Sequence, residues 1–354
     1  MQRYSILFLC WVFITFNACS YQESESSENS IEYTDMLGRK VSINGKIEKI
    51  VGLKAGSLRL ISYLDCGRKV VGVEEIEKRS RKPYNFANPL YDSLPVIGPI
   101  HGGDPELISS VNPDLIIMSY CTRTEADRLQ KQTGIPVLAI RYGDLETSDQ
   151  TLFPALQLLG KVLSKEMRAK SLIQGIDSLI EDLEMKTKGI NSNETVYMGG
   201  LSSRGAHGLF STEPDYIIFQ LIHANNCASV IDSKKIIYID KEQLIQWNPD
   251  KIFIDINGYS IAKEELSSDN YYEYLKAVQS GNLYLLHPYN WYSTNFATVL
   301  VNAYYVASVL YPEQFSNMDI KAKEDEIYRI FLSEPVGEQM NALYGDVRRE
   351  DFDQ

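Results

Sequence analysis

One stretch of this chain occurs twice. Glu106-Leu107-Ile108-Ser109-Ser110-Val111-Asn112-Pro113-Asp114-Leu115-Ile116-Ile117 returns in pattern as Glu242-Gln243-Leu244-Ile245-Gln246-Trp247-Asn248-Pro249-Asp250-Lys251-Ile252-Phe253-Ile254, with Glu, Asn, Pro and Asp aligned without a gap. Each copy predicts a short helix, an Asn-Pro-Asp turn that halts it, and a strand of β-branched and aromatic residues. The same supersecondary unit therefore stands once in each half, and two similar lobes are expected.

The flanking patterns agree. Around the first copy they predict strands at Lys49 to Leu53, Lys69 to Val73, Leu115 to Met118 and Val137 to Ile140, with helices at Ser57 to Leu64 and Glu125 to Thr133. Around the second they predict strands at Thr195 to Met198, Ile252 to Ile256 and Leu283 to Leu286, with helices near Pro214 to His223 and Thr294 to Leu310. Strands alternating with helices imply a largely parallel sheet covered on both faces, one in each lobe.

Between the lobes, Ser164 to Lys188 carries Met167, Leu172, Ile173, Ile176, Leu179, Ile180 and Leu183 near a helical period and contains no Pro. Such a helix spans about 35 Å, with Ser164 as its N-cap. It either runs as a strut from lobe to lobe or packs as one more helix on a sheet. The flanking strand patterns favour the strut.

With 354 residues and 44% hydrophobic content, the chain can bury a core large enough for two domains. Its net charge of −12 is spread without long like-charge blocks, which argues against nucleic acid as a partner. At the N-terminus, Arg3 precedes an apolar run from Ile6 to Phe16, shorter than the roughly 20 residues of a membrane span and suited to a secretory signal. Phe16-Asn17-Ala18-Cys19-Ser20 then resembles a bacterial lipobox, which makes Cys19 the acylated residue and anchors the protein to a membrane. Phe16 departs from the aliphatic residue usual there, and the alternative is an ordinary signal with a later cleavage site. Tyr21 to Ser30 reads as a flexible tether. Cys66, Cys121 and Cys227 are odd in number without C-x-x-C spacing, so they read as small buried residues rather than a disulfide framework or a metal site.

Several segments together resemble the helical-backbone (class III) periplasmic substrate-binding proteins of ABC importers for iron-siderophore, haem and cobalamin. They are Tyr33-Thr34-Asp35-Met36-Leu37-Gly38-Arg39-Lys40-Val41, Lys69-Val70-Val71-Gly72-Val73, the two Asn-Pro-Asp units, Ala277-Val278-Gln279-Ser280-Gly281-Asn282-Leu283-Tyr284, and Leu310-Tyr311-Pro312-Glu313-Gln314-Phe315. The resemblance implies an α/β protein with two Rossmann-like lobes joined by a single long α-helix, a ligand cleft between the lobes, and no enzymatic activity or cofactor. The implied division is a signal peptide (1–18), a tether (19–30), an N-terminal lobe (31–150), linking helices (151–190), a C-terminal lobe (191–335) and a tail (336–354). The implied cargo is an iron complex, ferric siderophore or haem, with a corrinoid as the alternative, and the implied partner is an ABC permease dimer in the inner membrane. In the family, glutamates matching the repeat dock onto permease arginines, which gives Glu106 and Glu242 that role. Both also suit the first turn of a helix, where the dipole favours acids.

In open parallel sheets the crevice lies beyond the carboxyl ends of the strands. The loops there offer Lys54, Ser57, His101, Tyr120, Arg141 and Tyr142 from the first lobe, and Arg204, His207, Asn257, Tyr289, Trp291 and Tyr292 from the second. Trp291 leads this set, because three aromatics in four residues are costly in water and useful under a flat ligand; alternatively Tyr289 and Tyr292 open the next helix and sit in the core. Arg141 and Arg204 suit carboxylate, catecholate or phosphate groups, or else form surface ion pairs.

A bare zinc or manganese receptor is the nearest rival, built from His101, His207, His287 and Asp255. No two of these histidines fall at H-x-H or H-x-x-x-H spacing. An extracytoplasmic enzyme lacks its nucleophile elbow, zinc-protease helix or phosphate loop.

Overall fold

The computed structural model describes residues 30–350 apart from 80, 191, 203, 204 and 269. The signal, Cys19 and almost all of the tether lie outside the described residues.

The described chain opens with a hairpin, β1 (Ser30–Thr34) and β2 (Lys40–Asn44). Its turn carries Asp35 and Arg39, both buried and paired at 2.9 Å, and Arg39 goes on to Asp127 at 2.7 Å and to the Val137 carbonyl at 2.9 Å. Next come β3 (Ile50–Leu53), α1 (Ser57–Tyr63), β4 (Val70–Gly72), α2 (Pro83–Ala87), α3 (Pro105–Ser110), β5 (Leu115–Met118), α4 (Arg123–Thr133) and β6 (Val137–Ala139). These last four strands form one parallel sheet in the order β4-β3-β5-β6. Every residue of β3 and β5 is buried, as strands covered on both faces require.

After α5 (Leu152–Val162) and α6 (Glu166–Thr187), the second lobe runs β7 (Thr195–Gly199), β8 (Ser211–Thr212), α7 (Ile217–Leu221), β9 (Asn225–Asn226), β10 (Ile237–Tyr238), α8 (Lys241–Trp247), β11 (Lys251–Asp255), α9 (Tyr259–Ser268), α10 (Lys276–Gln279), β12 (Leu283–Leu286) and α11 (Phe296–Leu310). The chain closes with α12 (Ile320–Leu332), α13 (Gly337–Tyr344) and β13 (Arg348–Arg349). The second sheet has the order β13-β12-β11-β7-β9, parallel except for β13.

Both copies of the repeat do the same physical work. Asn112 (φ 47°) and Asn248 (φ 45°) take the left-handed conformation that Asn tolerates, and α3 and α8 end there. The Asp two residues on ties down the start of a neighbouring strand. Asp114 accepts from the N–H groups of Glu48 and Lys49 at 2.8 Å, and Asp250 accepts from the N–H of Thr195 at 2.8 Å.

Helix α6 has 22 residues, about 33 Å at the usual rise. Its buried stripe, Ala169, Leu172, Ile176, Leu179 and Leu183, runs along a helix that packs on α5, α7, α11 and α12. The strut is thus present, but Ser164 does not cap it. Ser164 (φ 55°) is the left-handed residue that closes α5, with its own N–H on Lys161 and the next N–H on the Gly160 carbonyl at 2.6 Å. That is a Schellman closure, and it leaves Lys165 at the cap position of α6 with no side-chain bond.

One core cluster spans both lobes, and each lobe also holds a smaller cluster of its own. A single cluster contains Ile50, Leu115 and Leu138 of the first sheet, Leu172 and Ile176 of α6, Phe253 and Leu286 of the second sheet, and most of α11. Residues Phe296 to Ala307 of α11 are all buried, so this helix is apolar around its circumference, as a central core helix must be. The segment from 320 departs from the expected division. Helix α12 packs on α1 and α2 of the first lobe as well as on α11, and the expected tail folds as α13 and as the edge strand β13.

Because the core is continuous, Ile176→Ala is expected to cost about 2–5 kcal/mol. Urea unfolding followed by far-ultraviolet dichroism and by tryptophan fluorescence should shift together. Trp247 reports the second lobe and Trp291 the cleft wall, whereas dichroism reports the whole chain, so two separated transitions would contradict a shared core.

Candidate ligand cleft

A cleft of about 850 Å³ opens between the lobes. From the first lobe it is lined by Ile76, Arg79, Arg81 and Lys82, all in the segment between β4 and α2. From the second it is lined by Ser202, Gly205, Ala206, Asn257, Asn290, Trp291 and Tyr292, and from the C-terminal segment by Leu343 and Tyr344.

Of the residues expected at the ligand, Asn257, Trp291 and Tyr292 line this cleft. His101 and Tyr120 stand on the first-lobe rim, both with positive φ, and reach across the interface. The His101 ring lies 5.6 Å from that of Tyr292, and the Tyr120 hydroxyl meets Ser293 Oγ at 2.9 Å. Lys54 points along its own lobe, to Glu125 at 3.0 Å and the Tyr120 carbonyl at 3.2 Å. Arg141 is exposed and is not among the residues lining the cleft, His207 is bonded to Tyr238 at 3.0 Å, and Arg204 lies outside the described residues.

Three expected residues are buried instead. The Ser57 hydroxyl donates to the Leu53 carbonyl at 2.6 Å and accepts from the Ser119 N–H, which splices the end of β3 to α1. Tyr289 is 7% exposed, with its ring 6.0 Å from that of Tyr216. Tyr142 is 2% exposed, stacks on Phe296 at 4.8 Å and donates to the Thr294 carbonyl at 2.5 Å. Core packing claims all three.

What holds the cleft wall is a residue outside the expected set. Arg59, on α1 and 1% exposed, donates to the carbonyls of Thr294 at 2.8 Å, Trp291 at 2.9 Å and Tyr292 at 3.3 Å, and to the Tyr142 hydroxyl. Its guanidinium lies over the rings of Tyr84 at 5.0 Å and Tyr142 at 5.4 Å. Buried Glu77, bonded by the Tyr84 hydroxyl at 2.6 Å, supplies opposing charge. Glu74 makes a second tie, accepting from the Lys54 N–H, the Gly102 N–H and the Tyr292 hydroxyl at 2.8–2.9 Å; burial pushes its carboxyl up to about 7.

Cations dominate the first-lobe side. Arg79 pairs with Glu75 at 2.8 Å and Arg81 with Asp92, both near the surface. Lys82 is 2% exposed, and among the described residues its ammonium has no carboxylate within ion-pair distance. It meets the Tyr344 hydroxyl and lies over the ring of Trp291 at 5.1 Å. Burial lowers it to about 8, although Asp255 opposes the shift. The run Lys78 to Lys82 was visible as a basic segment following a strand, and the strand-end rule extends to it.

Residues 50–290 match the periplasmic binding protein family. The chain belongs to that family. It is 23% identical over 323 residues to the molybdate-binding protein MolA of Haemophilus influenzae, covering 84% of this chain and 90% of MolA. The structure of MolA bound to molybdate aligns with TM-score 0.67 at 20% identity, over 86% of this chain and 98% of that one. The Fe(3+)-citrate-binding protein YfmC of Bacillus subtilis is 23% identical over 74% of this chain and 79% of its own length. A periplasmic solute-binding protein from Veillonella parvula aligns with TM-score 0.72 at 20% identity, over 89% of this chain and 97% of that one.

The chain is therefore a substrate-binding protein of an ABC transporter and not an enzyme. Its two α/β lobes about one long helix are the fold that the sequence resemblance implied. Among the described residues no helix is long and apolar enough to cross a membrane.

In this periplasmic binding protein the Arg59 tie should be measurable. Arg59→Met takes the Arg59 donors from the Trp291 and Tyr292 carbonyls and leaves buried Glu77 without its opposing charge, so a loss of about 3–5 kcal/mol is expected in urea unfolding. Arg59→Lys should recover only part of it, because an ammonium cannot reproduce the fork. Full recovery by Lys would contradict the assignment.

Proposed function

We propose that this protein captures an anionic iron complex, a ferric siderophore or haem, and delivers it to an ABC permease. The observation that carries this reading is the pairing of Arg79, Arg81 and Lys82 on one side of the cleft with Trp291 and Tyr292 on the other. Cations suit carboxylate or catecholate oxygens, and aromatic faces suit a flat or apolar scaffold. A cleft of about 850 Å³ falls in the range of drug-sized ligands.

A second reading is a small oxyanion, since the same cations suit it and MolA is named for molybdate. A four-oxygen anion fills little of the cleft and leaves the aromatic side without a task. A corrinoid gives the three cations less to do. Against a bare metal ion stands the scatter of the histidines. His287 is fully buried, with its Nε2 at 2.8 Å from the Gly345 carbonyl, and among the described residues no three His, Cys, Asp or Glu side chains are grouped to hold a metal.

Delivery runs through Glu106 and Glu242. Each is exposed in the first turn of its helix, and the helix end is already capped by the preceding Asp104 or Asp240. Capping therefore does not occupy either glutamate, and among the described residues neither forms an ion pair. Two like charges held apart by a rigid strut suit a two-fold symmetric partner. Cys19, acylated, tethers the protein to the outer face of the membrane beside that permease.

Two measurements test the reading. Titration of tryptophan fluorescence with ferric citrate, a ferric catecholate, haem, cobalamin, molybdate and zinc should show saturable quenching by an iron complex; response to molybdate alone, cobalamin alone or zinc alone would move the assignment. The double substitution Glu106→Gln, Glu242→Gln should leave cargo affinity intact and abolish uptake in cells, and a fall in affinity would sink the docking role.

A further inference from the structure

The family match ends at residue 290, yet the cleft is finished by residues far beyond it. Helix α13 ends at Tyr344 beside the cleft, with Leu343 half exposed next to it. The segment is fixed to both lobes. Strand β13 extends the second sheet through Arg349 opposite Tyr284, α12 packs on α1 and α2, and Met340 is fully buried. Around Tyr344 the bonds are local and specific: His287 meets the Gly345 carbonyl, and Asn341 donates to Glu324 at 2.9 Å.

A buried ammonium without a carboxylate partner is costly unless something else answers its charge. Lys82 has one aromatic face, Trp291, and the Tyr344 hydroxyl, and it borders a cleft. The groups around it are Tyr344 from α13, Trp291 from the loop before α11, Asp255 at the end of β11 and Arg59 on α1, with Arg79 and Arg81 lining the same cleft. Asp255 is itself buried and pushed up to about 7, so at neutral pH it answers Lys82 only in part.

We propose that α13 is a third wall of the cargo site: Tyr344 and Leu343 cover one face of the bound complex, and Lys82, held against Tyr344 and Trp291, takes an anionic oxygen of the chelate. This rests on the anionic-complex reading above and specifies it. The cargo carries a conjugated oxygen donor, of the catecholate type, that can accept from an ammonium while its ring lies on aromatic faces. Displacing water from Leu343 adds to the same contact.

The test uses the full chain and a ferric catecholate, with ferric citrate as a second probe, read by tryptophan fluorescence. Tyr344→Ala should raise the Kd for the catecholate about tenfold or more, while the thermal midpoint of the unliganded protein stays near that of the parent. Wild-type affinity should fall as pH rises from about 7 to about 9, because Lys82 loses its proton near 8 and Asp255 gains its charge near 7. Lys82→Arg, which stays charged, should flatten most of that fall. Unchanged affinity in Tyr344→Ala overturns the third wall, and an undiminished pH dependence in Lys82→Arg overturns the role of the ammonium, both leaving the cargo reading intact. A wild-type protein that binds neither of these complexes overturns the catecholate-type cargo, and one that also fails to bind haem overturns both readings.

Discussion

The geometry of the cleft depends on one buried guanidinium. Arg59 stands on the first helix of the first lobe, and its donors are spent on three carbonyls of the loop between β12 and α11 in the second. That loop carries Trp291 and Tyr292, so the two sides of the cleft are referenced to each other through backbone rather than through side-chain contacts alone. The alternative for each partner is poor. An unbonded buried carbonyl costs as much as a lost hydrogen bond, and an unbonded buried Arg costs more. Lobe separation that broke this cluster would expose all of those groups together, and the shared core around α11 opposes it further. A binding protein built this way is expected to meet its cargo with a largely formed site.

The repeated Asn-Pro-Asp unit is the other constraint, and it was legible because its task is local. A left-handed Asn, a Pro that cannot continue the helix and an Asp that accepts from the neighbouring strand's N–H groups act within a few residues of one another. Sequence therefore located β5 and β11, the strands paired with them, and the long helix between the lobes. Ser164 was misread for a reason of the same kind. Its neighbours serve two helices at once, and closure of α5 claims the residue that a search for the start of α6 assigns to the cap.

The site was less legible. The strand-end rule says which loops approach the crevice, and Trp291, Tyr292 and Asn257 follow it. It is silent on which way a side chain turns, and direction is set by distant packing. Tyr142 turns inward because Phe296 and the Thr294 carbonyl are there, and Tyr289 because Tyr216 is. Arg59 was invisible to the rule because it sits on a helix. Leu343 and Tyr344 were invisible because they come from a segment with no counterpart in the repeat.

Two buried cations in this molecule separate structural from functional burial. Arg59 presents a fixed fork, and protein oxygens take both of its terminal nitrogens, leaving its buried Nε without a partner. Lys82, as deeply buried, has the Trp291 ring on its flank and a single hydroxyl for its donors, beside open space. Guanidinium suits the first task because its donors lie in one plane and its charge does not titrate. Ammonium suits the second because its three donors can turn toward whatever anion arrives, and because burial has already stripped the water that an anion would otherwise displace. The difference in bonding, rather than the shared burial, marks Lys82 as the cation left for cargo.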